Sequence, residues 1–489
     1  MTEHLAEEAA RKLPLRDSDE IQGDILAGFR KDHESVLLLR FPQDPAPVRQ
    51  WLRRLIPQIA TTRQIAAFNA EFSAARHNLA GTDPAGLRVT WVNLSLTYAG
   101  LKFLMGAEPF PDQTPPGVQA FVQGASQRAG INGDEGDSTP ENWLFGRDEQ
   151  PVHAVITVAS DEQALLEVRA SELRVAAARA GLTVVFEQTG ATLPGNSKGH
   201  EHFGFKDGVS QPGVAGFDRP DPSDPVHVAG KPGTRIVPAG EFVLGHPKLE
   251  GEPSTLPEWT RNGSFQVVRR LAQDVPAWWA QAGAVRRQLD REGVELPPGT
   301  GTEWLAARAV GRWRSGASVA HNPNAEPPAK PGAPDDNMIS YVDDPEGHVT
   351  PHFAHIRKTN PRDGLGNGHN PADVRRIIRR GIPYGQPFDP AAGDGHGPDA
   401  DRGLVFIAYM SDIDFQFEFL QRRWINNPDF RQQETGRDPV IGQDTDVNLK
   451  LDTLPGGKKL HFAQFVRTEG TIYAFAPALS TLRGLAQRP

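Results

Sequence analysis

The sequence predicts an α+β protein in which antiparallel sheet and helices recur in two units. Three observations predict it. Apolar, strand-like runs of six to nine residues alternate with helical stretches through the first 190 residues;. Their order there is strand, helix, strand, strand, helix, strand. Strand and helix patterns then return after residue 370, beyond a long stretch dense in proline and glycine;.

Taken in order, residues 1–20 form a mixed-charge, helix-prone arm, after which IQGDILAGFRKDH leads into a strand at 36–41 (VLLLRF);. A helix follows over 46–56, with Pro57 as its stop;. The run 89–97 (VTWVNLSLT) alternates as a half-buried strand does, and 154–159 (AVITVA) is a third strand;. Residues 161–180 read as a helix: Asp161 lies in the cap region, Leu165, Leu166, Val168, Leu173 and Val175 recur near helical spacing, and Gly181 stops it;. The strand at 183–188 (TVVFEQ) completes the order of a ferredoxin-like unit spanning 21–190;. Residues 191–489 read as a second ferredoxin-like unit with long insertions. Clusters such as DRPDPSDPVHVAGKPG make 190–350 irregular covering segments, and regularity returns with an arginine-rich segment at 372–380;. A strand at 403–409 (GLVFIAY), a helix at 413–424 and a last strand at 471–476 (TIYAFA) follow, without a short-period repeat;.

The composition excludes several classes. Hydrophobic residues make up 38% and charged residues 23% of the 489, as in a globular chain rather than a disordered one;. The net charge of −9, with no basic stripe interleaved with aromatics, argues against nucleic acid as a partner;. No apolar run reaches eighteen residues and the N-terminus lacks a signal-like core or twin arginine, so the expectation is a cytoplasmic protein with no membrane partner;. Zero cysteines exclude disulfides, thiolate nucleophiles, iron–sulfur clusters and thiolate metal ligands;. Any metal must be held by His, Asp, Glu or Tyr.

Two segments concentrate chemistry: GHEHFGFKDGVSQPG (199–213), and PHFAHIRKTNPRD (351–363) followed by RRIIRRGIPYG (375–385). By itself, Asp207 before Gly208 reads most simply as a turn residue. His352 and His355, three apart, offer one or two imidazoles to a metal, although a histidine is more often a structural group than a ligand. Arg375, Arg376, Arg379 and Arg380 would ordinarily be a solvated helix face, from which one member could turn inward to meet an anion.

GFKDGVSQP resembles the G-x-x-D-G signature of dye-decolorizing peroxidases, and HIRKTNPRD is similar to the proximal-histidine segment of their longer, fungal-like and actinobacterial members. IQGDILAGF, GEFVLGHP, SFQVVRRLAQDVPAWW, GRWRSG, RRGIPYG and GLVFIAY resemble segments of that family in the same order, so the resemblance covers nearly the whole chain. It implies a non-covalent haem b in the C-terminal unit, with His355 as ligand of the haem iron. It implies a carboxylate behind that ring, Asp438 being the candidate and Asp444 lying close by in sequence. On the opposite face it implies Asp207 as acid–base residue and Arg379 as distal arginine, with Leu404 and Phe406 lining an apolar pocket. Asn360 and Arg362 are implied near a haem propionate, and Trp424 and Tyr409 as candidates for electron relay, against packing as the plainer role of large aromatics. His352 is then either a group that supports the site from behind or a structural one.

The implied activity is reduction of hydrogen peroxide with oxidation of bulky organic reductants such as anthraquinone and azo dyes and phenols. An aspartate base, with a reference pKa of about 3.9 against roughly 6.5 for histidine, suits acidic working pH. A haem carrier or sensor on the same scaffold would need His355 but not Asp207 and Arg379 together. A non-haem metallohydrolase built on His352 and His355 lacks a zincin-type motif. Mn(II) oxidation at carboxylates such as Glu241, Glu250 and Glu252 is a further activity on which sequence spacing is silent, as it is on oligomeric state.

Overall fold

Each half of the chain folds as strand, helix, strand, strand, helix, strand, and the strands of both halves join one sheet. In the computed structural model, residues 13–79, 82–84, 86–111, 115–251, 256–328, 330, 332–366, 372–389 and 401–488 are described. Positions 1–12 of the expected arm and Glu252 lie outside them. The first half supplies β1 (His33–Arg40), β2 (Thr90–Leu96), β3 (Ala154–Ser160) and β4 (Thr183–Ala191). The second supplies β5 (Ser264–Gln273), β6 (Ile378–Arg379), β7 (Ile382–Tyr384), β8 (Gly403–Met410) and β9 (Val466–Ala476). The order β7-β8-β5-β9-β2-β3-β1-β4, with β6 beside β8, repeats the same antiparallel arrangement twice. These are two ferredoxin-like units.

The sheet curls until its edges meet. At Gly190 of β4 a Cβ would stand 2.6 Å from the Pro383 carbonyl of β7, so only glycine lets the edges approach;. This double coverage explains why VLLLRF is apolar without alternation: Val36 and Leu38 point into the enclosed core, while Leu37 and Leu39 pack under the outer helices;. Among those helices, α1 (Pro45–Leu55) is capped by the Asp44 carboxylate and α2 spans Gln163–Arg179;.

The buried face of α2 is Leu166, Ala170, Leu173 and Ala177, whereas Leu165, Val168 and Val175 are exposed. The predicted stripe is thus corrected: small alanines bring the helix close to the sheet, and a spacing that fits residues 165, 168 and 175 is equally helical but faces outward. A helix at Thr62–Asn78, opened by a Thr61/Gln64 capping box, escaped the sequence reading;.

The largest correction falls between 190 and 350, read above as irregular cover. That stretch contains β5, in the middle of the sheet, and helices α3 (Val275–Arg291) and Thr302–Val310. Consecutive arginines in SFQVVRRLAQ masked the strand: Arg269 and Arg270 point to opposite faces, and each is buried against acids, Arg269 on Asp134 and Arg270 on Asp401 and Glu469;. The segment at 413–424 is wound as two π-helical turns, Ile413–Glu418 and Leu420–Ile425. The arginine-rich segment is no helix but a 3-10 turn, Asp373–Arg375, running into the short β6. Among the described residues no helix is long and apolar enough to cross a membrane.

Candidate active site

Strand parity sorts the arginines. β6 pairs with β8 through Arg379↔Ala408, and Gln211 clamps both backbone groups of Arg379, its Oε1 accepting the amide at 3.1 Å and its Nε2 donating to the carbonyl at 2.9 Å. Arg379 therefore faces the cavity described below, while Arg380 turns away and donates to the carbonyls of Asp24, Ile25 and Leu26;.

Asp207 stands on the return arm of a hairpin, its amide donating to the Gly199 carbonyl at 3.0 Å. Its Oδ1 accepts from Arg379 Nη1 at 3.0 Å and from the amide of Gly208 at 2.6 Å. Gly208 has φ +76°, a left-handed conformation that favours glycine and turns the Asp207 carboxylate back on its neighbour's amide;.

His355 opens a one-turn helix, α4 (His355–Thr359). Beneath it Gly311, at φ +91°, ends the helix Thr302–Val310, and a Cβ there would lie 2.4 Å from Ile356 Cγ1. The glycine thus lets α4 settle onto that helix. The ring's Nδ1 donates to Asp438 Oδ2 at 2.7 Å, since an ionised carboxylate only accepts;. Asp438 is fully buried, and its Oδ1 accepts the amides of Val440 at 2.8 Å and Ile441 at 3.3 Å. The tautomer is thereby set, and the Nε2 lone pair is left for another partner. Burial pulls the imidazole pKa down, but the Asp438 charge and hydrogen bond outweigh it and hold the net shift upward. Asp444 instead meets the exposed His461. His352 takes no part in this arrangement: its Nε2 meets the Pro345 carbonyl at 2.9 Å, and burial pushes it down to about 3.

Asp207, Arg379, His355, Asn360, Leu404 and Phe406 all line one cavity of about 1850 Å³, counting the part open to solvent. Its walls are largely apolar, with Leu271, Val310, Ile356, Ile377, Phe417 and Leu420 joining Leu404 and Phe406. Into it also look Arg312 and Arg376, both buried and, among the described residues, without an ion pair. Arg376 donates to the Ser210 carbonyl at 2.6 Å, and Arg312 to the carbonyls of Gly316 at 2.7 Å and Asp336 at 2.6 Å. Burial lowers each to about 10, so both remain cationic at neutral pH. Asn360 leaves both its amide atoms buried and unpartnered among the described residues. An apolar slot with a tautomer-fixed imidazole and two uncompensated guanidiniums fits a flat, apolar, iron-bearing ring with carboxylates on its edge. The residues present therefore suit the haem that the sequence resemblance implies.

The remaining residues singled out from sequence fall elsewhere. Arg362 does not line the cavity; it donates to Asn337 through the carbonyl at 3.0 Å and Oδ1 at 2.6 Å, behind Arg312. Trp424 is buried, stacked on Phe430 and edge-on to Phe419, while its neighbours Gln421 and Ile425 reach the cavity. Tyr409 is also buried, facing away from the cavity, where its hydroxyl donates to Asp24 at 2.9 Å and accepts from Gln266 at 2.8 Å. Glu241 accepts the Leu249 amide at 2.9 Å, and no group of three His, Cys, Asp or Glu residues able to hold a metal ion occurs among the described residues. Sequence reasoning missed Gln211 behind Arg379 and, in the cavity wall, Arg312, Arg376 and the Asp134–Arg269 pair. Only the paired arginines carried a signal, since adjacent charges on a strand must point opposite ways.

Comparison with known proteins agrees over nearly the whole chain. Residues 20–194 match the DyP dimeric alpha+beta barrel domain, and residues 252–435 match the C-terminal region of Dyp-type peroxidases. The dye-decolorizing peroxidase AauDyP1 of Auricularia auricula-judae is 30% identical over 96% of this chain and 86% of its own length. Among solved structures, an ancestral D-type dye decolorizing peroxidase superimposes with a TM-score of 0.81 at 32% identity, covering 98% of this chain and 100% of that one. A dye-decolorizing peroxidase in complex with 2,6-dimethoxyphenol superimposes with a TM-score of 0.78 at 29% identity, covering 97% and 99%.

Proposed function

This chain belongs to the dye-decolorizing peroxidase family, and from that premise we propose that His355 holds the iron of its haem b while Asp207 and Arg379 carry out the proton and charge chemistry of peroxide cleavage. The enzyme is a peroxidase and haem b is its cofactor. Bound haem supplies the iron at which the peroxide O–O bond is broken and the electrons that break it. Everything else is work for the chain's own side chains.

Asp207, ionised, takes a proton from the peroxide oxygen nearer the iron and hands it to the departing oxygen, directly or through one water, so that water leaves. Arg379, which keeps its proton, stabilises the charge that builds on the departing oxygen and holds Asp207 through the 3.0 Å bond;. Asp438 retains the Nδ1 proton of His355 and makes Nε2 a stronger donor;. Arg312, Arg376 and Asn360 hold the haem carboxylates, with Arg362 orienting Asn337 behind them. Leu404 and Phe406 keep bulk water from the reacting oxygens. The reductants are phenols and anthraquinone or azo dyes, a reading supported by the dyes that name its relatives and the phenol held by a structural neighbour.

One observation carries the proposal: a single cavity joins the Asp207–Arg379 ion pair to an imidazole whose other nitrogen is fixed by a buried carboxylate. The test is the visible spectrum of haem-loaded wild type and His355→Ala, followed by stopped-flow mixing of wild type, Asp207→Ala and Arg379→Ala with one equivalent of peroxide. A Soret band that depends on His355, and a peroxide reaction slowed at least about 100-fold in both distal variants, is the expected result. A stable Soret band that ignores peroxide would make the protein a haem carrier instead.

A further inference from the structure

Glu201 lines the same cavity, and the chemistry above gives it no task. It sits at the tip of the hairpin that carries Asp207. The arms of that hairpin meet at the His200↔Lys206 bridge, and the turn closes through Gly204, at φ +96°, whose amide donates to the Glu201 carbonyl at 2.9 Å. The Glu201 carboxyl then ties the turn a second time: Oε1 accepts the Phe205 amide at 2.9 Å and Oε2 the Phe203 amide at 2.8 Å. Phe203 and Phe205 are buried against Trp278 and Trp279 of α3.

The third bond leaves the hairpin. Gln273 Nε2 donates to Glu201 Oε2 at 2.6 Å, and Gln273 is the last residue of β5, its amide held by the Arg402 carbonyl at 3.0 Å. β5 pairs with β8, and β8 pairs with β6, which bears Arg379. Glu201 is therefore a side-chain link between the loop that carries Asp207 and the sheet that carries Arg379. Burial first, and the Asp207 charge as well, hold its carboxyl up to about 7 against the pull of its three donors, so the two acids sense each other across the hairpin.

We propose that Glu201 is a positioning residue for Asp207: its carboxyl fastens the hairpin 199–208 to β5 through Gln273 and so fixes where the Asp207 carboxylate stands relative to Arg379. The inference rests on the role proposed above for Asp207. Displacement of a reacting group by about 1 Å is enough to cost on the order of 100-fold in rate, so loosening this tether is read out in the peroxide step rather than in folding.

The experiment uses haem-loaded, full-length wild type, Glu201→Ala, Glu201→Gln, Gln273→Leu, Asp207→Asn and the double variant Glu201→Ala/Asp207→Asn. Amide hydrogen exchange is followed in 199–208 and in 351–363, haemin affinity by Soret titration, and the single-turnover reaction with hydrogen peroxide by stopped flow. Glu201→Ala is expected to speed exchange in 199–208 only, to leave haemin affinity within about twofold, and to slow the peroxide reaction about 30-fold. On the Asp207→Asn background the same change slows it by less than about twofold, because the group it positions is already gone. Glu201→Gln keeps one acceptor oxygen for the Phe203 amide and Gln273 but turns its NH₂ toward the Phe205 amide, so it recovers the rate only in part and stays about tenfold slow;. Should Glu201→Ala not fold, Gln273→Leu removes only the sheet side of the link and is expected to slow the reaction about tenfold with the same exchange signature. Equal slowing on both backgrounds, or unchanged exchange in 199–208 beside a slow Asp207→Asn, overturns the positioning role alone. An Asp207→Asn variant as fast as wild type overturns the role of Asp207 and this one with it.

Discussion

Replacing Asp438 with asparagine changes one atom's chemistry in a fully buried site, and its consequence can be worked through bond by bond. In the native protein one carboxylate oxygen accepts two backbone amides, from Val440 and Ile441, and the other accepts His355 Nδ1–H at 2.7 Å. Asparagine has a single acceptor oxygen, and the two amides claim it. Its NH₂ then faces Nδ1, where two donors meet. The imidazole escapes the conflict by moving its proton to Nε2, which removes the lone pair needed for iron, or by rotating away from the introduced amide. Loss of a supporting partner behind a metal-bound histidine costs about 10- to 100-fold in affinity, or about 1.4 to 2.7 kcal/mol. A hydrogen bond to a buried charge has a similar worth, about 1.5 to 3 kcal/mol. Titrating apoprotein with haemin and following the Soret band is therefore expected to give a dissociation constant raised at least about tenfold for Asp438→Asn, while Asp444→Asn, which alters only a surface contact with His461, stays within about twofold;. Equal haemin affinity and an unchanged spectrum in wild type and Asp438→Asn would refute the argument that this carboxylate fixes the histidine's tautomer.

The helix α2 offers a paired test of packing: Leu166→Ala should destabilise by about 2–5 kcal/mol by chemical denaturation, Leu165→Ala by no more than about 0.5, and equal effects would contradict the buried stripe;. Gly311→Ala places a Cβ 2.4 Å from Ile356 Cγ1 in a left-handed conformation, so it should displace α4 and weaken haemin binding by at least about tenfold; an affinity within twofold of wild type would contradict the tight seat;. Glu34 is buried and its Oε1 lacks a partner among the described residues, and burial, with the Asp24 charge adding to it, raises its carboxyl well above the usual range. A raised folded-state pKa favours folding fully below about pH 4, and that contribution is lost as pH rises toward the folded value. Glu34→Gln should consequently raise the thermal midpoint at pH 8 and leave it unchanged at pH 4, and scanning calorimetry at the two values decides the matter.

What the sequence by itself determined about this protein is what short-range chemistry encodes. The run 36–41, the segment 161–180 and the last strand were legible because apolar spacing and local stops act within a turn or two of chain. The two motif segments were legible for the same reason: GFKDG and HIRKTNPRD hold their residues within a few positions of one another. The α+β order of the first unit followed from those pieces, whereas the strand and helix that open the second, Ser264–Gln273 and Val275–Arg291, did not. Tertiary structure decided everything that depends on which distant segments meet. Residues 264–273 look too charged for a central strand until Asp134, Asp401 and Glu469, from separate parts of the chain, neutralise Arg269 and Arg270. Asp438 and Asp444 are indistinguishable by composition, and only the fold brings one of them to His355 and leaves the other at the surface. Arg362 looked like a cavity residue, and Arg376 like part of a solvated face, until the backbone turned the first to Asn337 and the second to the cavity. A side chain's direction is set by the strand or turn it belongs to and its partners by the packing of the whole sheet, and neither is a property of neighbours in sequence.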